Sequence, residues 1–123
     1  MAYLTDRKRA MGMGSAKTGT DHHWAMMVSS VGLAILIPLF VFNFGSILGS
    51  SYEEVLAHYG RPYPAILAAL TIVVSMMHFK KGVQVLIEDY VHGTARKFSI
   101  IAMICLSYAI AGVGLFAIAR LAL

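Results

Sequence analysis

The chain has 123 residues, of which 59% are hydrophobic and only 13% are charged. About 25% of the residues of a typical soluble domain are charged, so this composition excludes an ordinary soluble fold. The formal net charge is +4, and the basic residues lie beside apolar segments, where they orient membrane spans and do not indicate nucleic-acid binding.

Three apolar runs, each long enough to cross the hydrocarbon core of a bilayer, follow a polar start. We predict an all-α membrane protein with three transmembrane helices, at about residues 24–48, 64–90 and 98–119. Residues 1–21 form a separate arm, and 22–123 form a single membrane domain that packs in a bundle with a second subunit. The only cysteine, Cys105, falls in the third span, where we expect a packing role.

The arm at residues 1–21 is rich in glycine, serine and threonine and contains no apolar signal-peptide core, so we expect it to be flexible and retained. Thr20 or Asp21 is a plausible N-cap for the first span. His22, His23 and Trp24 follow at the depth of the membrane interface. The two histidines can serve as interfacial anchors or contact a bound anionic cofactor or a partner subunit.

Basic residues predict the orientation of the chain. Those beside the predicted cytoplasmic ends are Arg7, Lys8, Arg9, Lys17, Arg96 and Lys97. The positive-inside rule therefore predicts a cytoplasmic N-terminus and a periplasmic C-terminus.

The first span contains the small residues Ser29, Ser30 and Gly32, which allow close approach of a helix or of a flat cofactor. In the loop after it, Ser50 or Ser51 followed by acidic residues predicts a short interfacial helix. Pro64 fits the first turn of the second span, where its missing N–H costs little.

Lys80 and Lys81 lie two to three turns before the predicted end of the second span, which is deep for a cation. They either extend to the cytoplasmic interface or pair with a bound anion inside the bundle. Gly93 is predicted to cap this helix. The third span contains Gly112 and Gly114, which allow close packing, and is predicted to be a scaffold.

His78 is a polar side chain at membrane depth, which makes it a candidate functional residue. It can bridge to another helix, relay protons or bind a metal such as a haem iron. No other histidine is as deep in this sequence, so a haem with two histidine ligands needs its second ligand from another chain. Asp89 lies eleven residues on, about three turns and 20° later, and therefore shares its helical face.

Asp89 and Tyr90 lie near the predicted cytoplasmic end of the second span. They can form a solvated helix end with an interfacial tyrosine. Alternatively, they can serve a quinone, because a phenol can hold a carbonyl oxygen while an acid at the water boundary passes protons.

The spacing of His78, Gly82, Asp89 and Tyr90, followed by Val91-His92-Gly93, resembles the smaller hydrophobic membrane-anchor subunits of succinate dehydrogenase (respiratory complex II). Residues 14–20 with His22 and Trp24 resemble the start of the same subunits in alphaproteobacteria. The resemblance covers nearly the whole chain and implies a place in the bacterial inner membrane.

The resemblance implies that His78 is one axial ligand of a haem b whose other ligand comes from a cytochrome-b-type partner anchor. It implies that Tyr90 binds a ubiquinone carbonyl, supported by Asp89. The quinone pocket would be completed by an iron–sulfur subunit and the partner anchor, and succinate oxidation would take place on a flavoprotein subunit.

One departure from the family pattern concerns the haem propionates. Many relatives carry an arginine in early span one, at a position that aligns with Met27 here. Candidate substitutes are Lys80, Lys81, His22 and His23. The alternatives left open are a fumarate reductase anchor, a small proton-relay or transport subunit, and a purely structural assembly subunit.

Overall fold

The computed structural model of the protein describes residues 5–7 and 18–123. It contains four helices over 18–123, which are α1 (Thr18–Gly45), α2 (Tyr52–Tyr59), α3 (Pro62–Tyr90) and α4 (Gly93–Ala122). The three long helices are apolar enough to cross a membrane, which confirms the predicted three-span, all-α fold. Most of the predicted flexible arm, and residues 14–17 of the resemblance, lie outside the described residues.

Helix α3 is the centre of the molecule. Both α1 and α4 pack against it, whereas no Cα atoms of α1 and α4 approach within 8 Å of each other. The three spans therefore form a row with two open sides. Large apolar side chains are exposed along that row, including Val31, Phe42, Ile66, Ile101 and Phe116. In a membrane, these sides are available to lipid or to other subunits.

Small residues allow α1 and α3 to approach each other. A β-carbon added at Gly32 of α1 would lie 3.7 Å from Val74 Cγ1, and one added at Gly82 of α3 would lie 3.7 Å from Met26 Cε. Both distances are ordinary contacts, so each glycine faces the opposite helix. The expectation that Gly32 permits close approach is met at this interface.

Helices α3 and α4 pack closely at Gly114. A β-carbon there would lie 3.1 and 3.2 Å from Cδ1 and Cγ2 of Ile72, whereas one at Gly112 would meet nothing within 4 Å. Of the two glycines singled out in the third span, only Gly114 is therefore required by packing within the described chain.

We expect Gly114→Val to destabilise the packing of α4 on α3 by about 1–3 kcal/mol, because the added methyl groups must displace Ile72. The thermal midpoint of the detergent-solubilised protein measures the effect. Gly112→Val is the matched control, since it adds the same side chain to the same helix in open space. Equal midpoints for the two variants would contradict this account of the interface.

The spans were predicted as about 24–48, 64–90 and 98–119, and only the end at residue 90 coincides with a helix end. Two predicted helix caps are also wrong. Helix α1 already includes Thr18, so Thr20 and Asp21 lie within its first turn and do not cap it. Helix α3 ends at Tyr90 with Val91 as its C-cap, so the prediction that Gly93 caps it is wrong. Gly93 instead begins α4 with a positive φ of 69°, and this left-handed conformation favours glycine in the sharp reversal between the two spans.

The short interfacial helix is confirmed as α2. The Ser51 hydroxyl accepts a hydrogen bond from the Glu54 backbone N–H, and the Glu54 carboxylate accepts one from the Ser51 N–H, which completes a capping box. Pro64 lies buried in the first turn of α3, as predicted.

Two side chains connect α2 to the spans. His58 Nε2 lies 3.1 Å from Asn43 Oδ1 near the end of α1. Tyr59 is only 4% exposed, and burial raises the pKa of its phenol. The helix is therefore attached to the row of spans by a polar contact and an apolar one.

Candidate functional site

His78 faces α1, where its Nδ1 lies 2.9 Å from the hydroxyl oxygen of Ser29. The two residues lie at matching depths, because Ser29 is eleven residues from the start of α1 and His78 is twelve residues from the end of α3. At about 1.5 Å per residue, both are about 16–18 Å from their helix ends. His78 is partly exposed.

The two ring nitrogens of His78 have different environments. Nδ1 is held by Ser29, whereas Nε2 has no hydrogen-bond partner among residues 5–7 and 18–123. The sequence left helix bridging and metal binding as alternative roles of His78, but these two roles are compatible in the structure. One nitrogen joins the helices while the other is available to a ligand.

A cavity of about 580 Å³ opens between α1 and α3 one helical turn from His78. It is lined by His22, His23, Met26, Met27, Ser30, Gly82 and Val85. Gly82 and Val85 lie on the same stripe of α3 as His78. The prediction that Gly82 leaves room on this face agrees with the open space found there.

His22 has an unsatisfied polar atom at this cavity. Its Nε2 is buried and has no hydrogen-bond partner in the described part of the chain. A buried polar nitrogen without a partner is unfavourable, typically by about 1–3 kcal/mol. An external acceptor, such as a carboxylate of a bound cofactor, would remove this cost after a small movement of the ring. The cavity one turn from His78 therefore fits a flat ligand with acidic substituents, although His78 is not among its lining residues.

Lys80 is placed differently from His22 and His23. Lys80 lies about 200° around α3 from His78, on the side of α4. Its ammonium donates a hydrogen bond to the Tyr108 hydroxyl at 2.8 Å and lies 4.6 Å from the centre of the Tyr108 ring. Cation–π and hydrogen-bond contacts of this kind satisfy a cation at membrane depth. The structure thus separates Lys80 from the cavity that His22 and His23 line.

Lys81 and Glu88 form no ion pair, in keeping with their axial separation of about 10 Å. Glu88 instead accepts a hydrogen bond from Gln84 at 2.9 Å.

Asp89 and Tyr90 form the last residues of α3 and are both exposed, Tyr90 by 80%. Neither side chain has a hydrogen-bond partner within the described ranges. Because α3 is a continuous helix, Asp89 shares the His78 face but lies about 16 Å farther along the axis. The structure therefore does not bring Asp89 and Tyr90 together with His78. Within the described chain, the two side chains form an exposed surface at the end of α3 and not an enclosed pocket.

The described residues contain no group of three or more His, Cys, Asp or Glu side chains that could hold a metal ion. A single axial ligand to a metal held in a macrocycle remains compatible with His78.

Sequence reasoning missed two partners of site residues. Ser29 was singled out only for its size, and no role was predicted for Tyr108. The contact of Ser29 with His78 could have been predicted from their depths. Residues at equal depth on two antiparallel helices can meet once the helices, here α1 and α3, are known to be adjacent. To predict the contact of Tyr108, the rotation of α4 about its own axis relative to α3 must be known. The sequence of an apolar span without a polar stripe does not reveal that rotation.

Comparison with known proteins gives a consistent result. The profile of the family described as succinate dehydrogenase/fumarate reductase transmembrane subunit matches residues 1–115. The chain is 46% identical, over its whole length and 95% of the relative's, to the succinate dehydrogenase hydrophobic membrane anchor subunit of Paracoccus denitrificans. It is 30% identical over 84 residues, 68% of this chain and 66% of the relative, to the subunit of that name from Rickettsia bellii. No solved structure matches the chain.

Proposed function

The chain belongs to the succinate dehydrogenase/fumarate reductase transmembrane subunit family, and on that premise we propose a specific role for it in a succinate:ubiquinone oxidoreductase. It is a membrane-anchor subunit of succinate dehydrogenase and a multi-pass protein of the bacterial inner membrane. With a second, cytochrome-b-type anchor it holds one haem b, contributes to ubiquinone reduction, and attaches the iron–sulfur and flavoprotein subunits. The complex acts in the tricarboxylic acid cycle and the respiratory chain.

The observation that carries the proposal is His78, which lies at membrane depth with Nδ1 held by Ser29 and Nε2 unpartnered in the described chain. An imidazole held at one nitrogen and free at the other suits an axial haem ligand. When bound, the haem takes up and releases single electrons. His78 would hold the haem, and Gly82 lines the cavity on the adjacent face of α3.

The propionate groups are assigned to His22 and His23 in preference to Lys80, whereas Lys81, about 60° from His78 around α3, stays a candidate. Both histidines line the cavity beside the His78 face, and His22 Nε2 lacks a partner in the part of the chain that is described. The Lys80 ammonium is engaged by Tyr108 on another side of α3. These histidines thereby take the place of the arginine that relatives carry where Met27 stands.

We expect His22→Gln to change the haem midpoint potential or to lower haem retention, because the buried and unpartnered Nε2 is the proposed donor to a propionate. Lys80→Met should leave the haem spectrum and potential unchanged, although Lys80 lies only two residues from His78 on α3. Redox titration of both variants tests the assignment. A shift in Lys80→Met alone would reverse it.

Quinone binding is assigned to Tyr90, with Asp89 beside it. Reduction of ubiquinone to ubiquinol takes two electrons and two protons. The Tyr90 hydroxyl donates a hydrogen bond to a quinone carbonyl, and Asp89 passes protons from the aqueous boundary. Since Tyr90 is 80% exposed, the remaining walls of the pocket come from the partner anchor and the iron–sulfur subunit. This assignment uses the predicted orientation, in which the end of α3 faces the cytoplasm.

Purification of the chain from gently solubilised membranes tests the proposal as a whole. The expected result is co-purification of three other subunits, a reduced-minus-oxidised b-type spectrum, and succinate-dependent ubiquinone reduction. An assembled complex without haem would favour a structural anchor. A chain isolated alone, with proton conductance in vesicles, would favour the proton-relay alternative.

A further inference from the structure

We propose that Ser29 is a positioning residue that fixes the proton of His78 on Nδ1 and thereby directs Nε2 toward the haem iron. The inference rests on the proposed function, since it concerns how the assigned ligand is prepared for its role. It gives α1 a part in tuning the haem in addition to covering it.

The direction of the hydrogen bond between Ser29 and His78 follows from the single proton that the Ser29 hydroxyl can donate. The Ser29 hydroxyl oxygen lies 2.8 Å from the Ala25 carbonyl oxygen, 2.9 Å from the Met26 carbonyl oxygen and 2.9 Å from His78 Nδ1. A hydroxyl has one proton to donate and two lone pairs with which to accept. Carbonyl oxygens cannot donate, so their close approach is favourable only if the Ser29 proton points toward them.

The reverse arrangement is disfavoured at this site. If Ser29 donated its proton to an unprotonated Nδ1, its oxygen would face two carbonyl oxygens at 2.8 and 2.9 Å with no proton between them. The stable arrangement therefore has Nδ1–H of His78 donating to Ser29 Oγ. In the neutral ring, Nε2 then carries the lone pair that a metal requires.

Hydrogen bonding at the second ring nitrogen also affects the metal. A ligating histidine whose other N–H donates to an oxygen is a more basic ligand, and its ring plane is fixed. Stronger donation to the iron favours the oxidised form over the reduced one. Loss of the Ser29 acceptor should therefore raise the haem midpoint potential.

The test uses the assembled complex with substitutions at Ser29. In Ser29→Ala, we expect an upward shift of the haem midpoint potential and altered EPR g-values, because the ring is no longer held. The near-isosteric pair Ser29→Thr and Ser29→Val separates the hydroxyl from the shape of the side chain. Thr can make the same bond to a carbonyl in a helix, so Ser29→Thr should behave as the wild type and Ser29→Val as Ser29→Ala.

The control for removing a hydroxyl from a span is Ser107→Ala. Ser107 is buried and donates to the Met103 carbonyl at 2.7 Å, as Ser29 does to its own helix, but it has no contact with His78. We expect no shift of the haem potential in this variant.

The outcomes distinguish this inference from the function on which it rests. Wild-type complex without haem, or a haem that survives unchanged in His78→Ala, would refute the proposed function. A wild-type haem lost with His78 but unchanged in Ser29→Ala and Ser29→Val would refute only the role of Ser29. Loss of haem in Ser29→Ala and Ser29→Val but not in Ser29→Thr would support the requirement for a hydroxyl. Loss of haem in Ser29→Thr as well would assign the effect to packing and overturn the inference.

Discussion

His78→Ala is expected to abolish the low-spin b-type spectrum of the assembled complex. The substitution removes the imidazole that is held by Ser29 at Nδ1 and available at Nε2. No other histidine within the described spans lies at this depth, so no side chain of the described chain replaces it. The haem is either lost or left with one protein ligand from the partner anchor, and the pyridine haemochrome content and the EPR spectrum separate these two outcomes.

The substitution should spare assembly of the subunits. Its structural cost within this chain is one hydrogen bond between α1 and α3, worth about 1 kcal/mol net. The contacts of Gly32 with Val74 and of Gly82 with Met26 remain to hold the two helices together. Reduction of an artificial acceptor by succinate should continue, because the proposed function assigns succinate oxidation to the flavoprotein subunit.

His58→Ala is the matched control for His78→Ala. His58 also joins a helix to α1, through its 3.1 Å contact with Asn43, but it does so near the other end of that helix. Loss of this contact should leave the haem spectrum intact. If both variants lost haem equally, His78 would have to be assigned to general assembly, and an unchanged spectrum in His78→Ala would exclude it as a ligand.

The three spans could be predicted from sequence because long uncharged runs have few structural solutions in a bilayer. Span boundaries were less accurate, since interfacial residues such as Thr18 continue a helix beyond its apolar part. The capping box at Ser51 was predictable because its determinants lie within four residues. The reversal at Gly93 was assigned to the wrong helix, because a glycine between two helices can serve either one.

The candidate site could be predicted only in part, for a physical reason. His78, Asp89 and Tyr90 lie on one helix, so their relation follows from helical periodicity alone. The partners Ser29 and Tyr108 lie on other helices, and their contacts depend on how α1 and α4 are rotated against α3. The weak polar patterning of apolar spans does not encode that rotation clearly.

The difference between Lys80 and His22 illustrates the same limit. Both were candidates for the propionates because both are otherwise unexplained polar residues in or near a span. Only the structure places one beside Tyr108 and the other beside the Gly82 cavity. The row-like arrangement of the spans also leaves two sides of α3 uncovered within the described chain, and the proposed partner anchor would pack there.

Tyr90→Phe is expected to lower ubiquinone reduction by about 100-fold, the typical effect of removing one hydrogen-bond donor from a reacting oxygen. The substitution deletes only a hydroxyl, and that hydroxyl has no partner in the described chain whose loss could disturb the fold. Succinate oxidation with an artificial acceptor should be unchanged, and so should the haem spectrum. The ratio of the two activities is therefore the quantity to measure.

Tyr63→Phe is the matched control, because Tyr63 is also an exposed tyrosine on α3, 61% accessible, but lies at the opposite end of the helix. It should retain both activities. Equal loss of both activities in Tyr90→Phe would indicate a defect of assembly, and full ubiquinone reduction would remove Tyr90 from the quinone site. Tyr90 and His78 are about 18 Å apart along α3. Loss of quinone reduction with an intact haem spectrum would therefore also establish that quinone binding at Tyr90 and haem binding at His78 are independent.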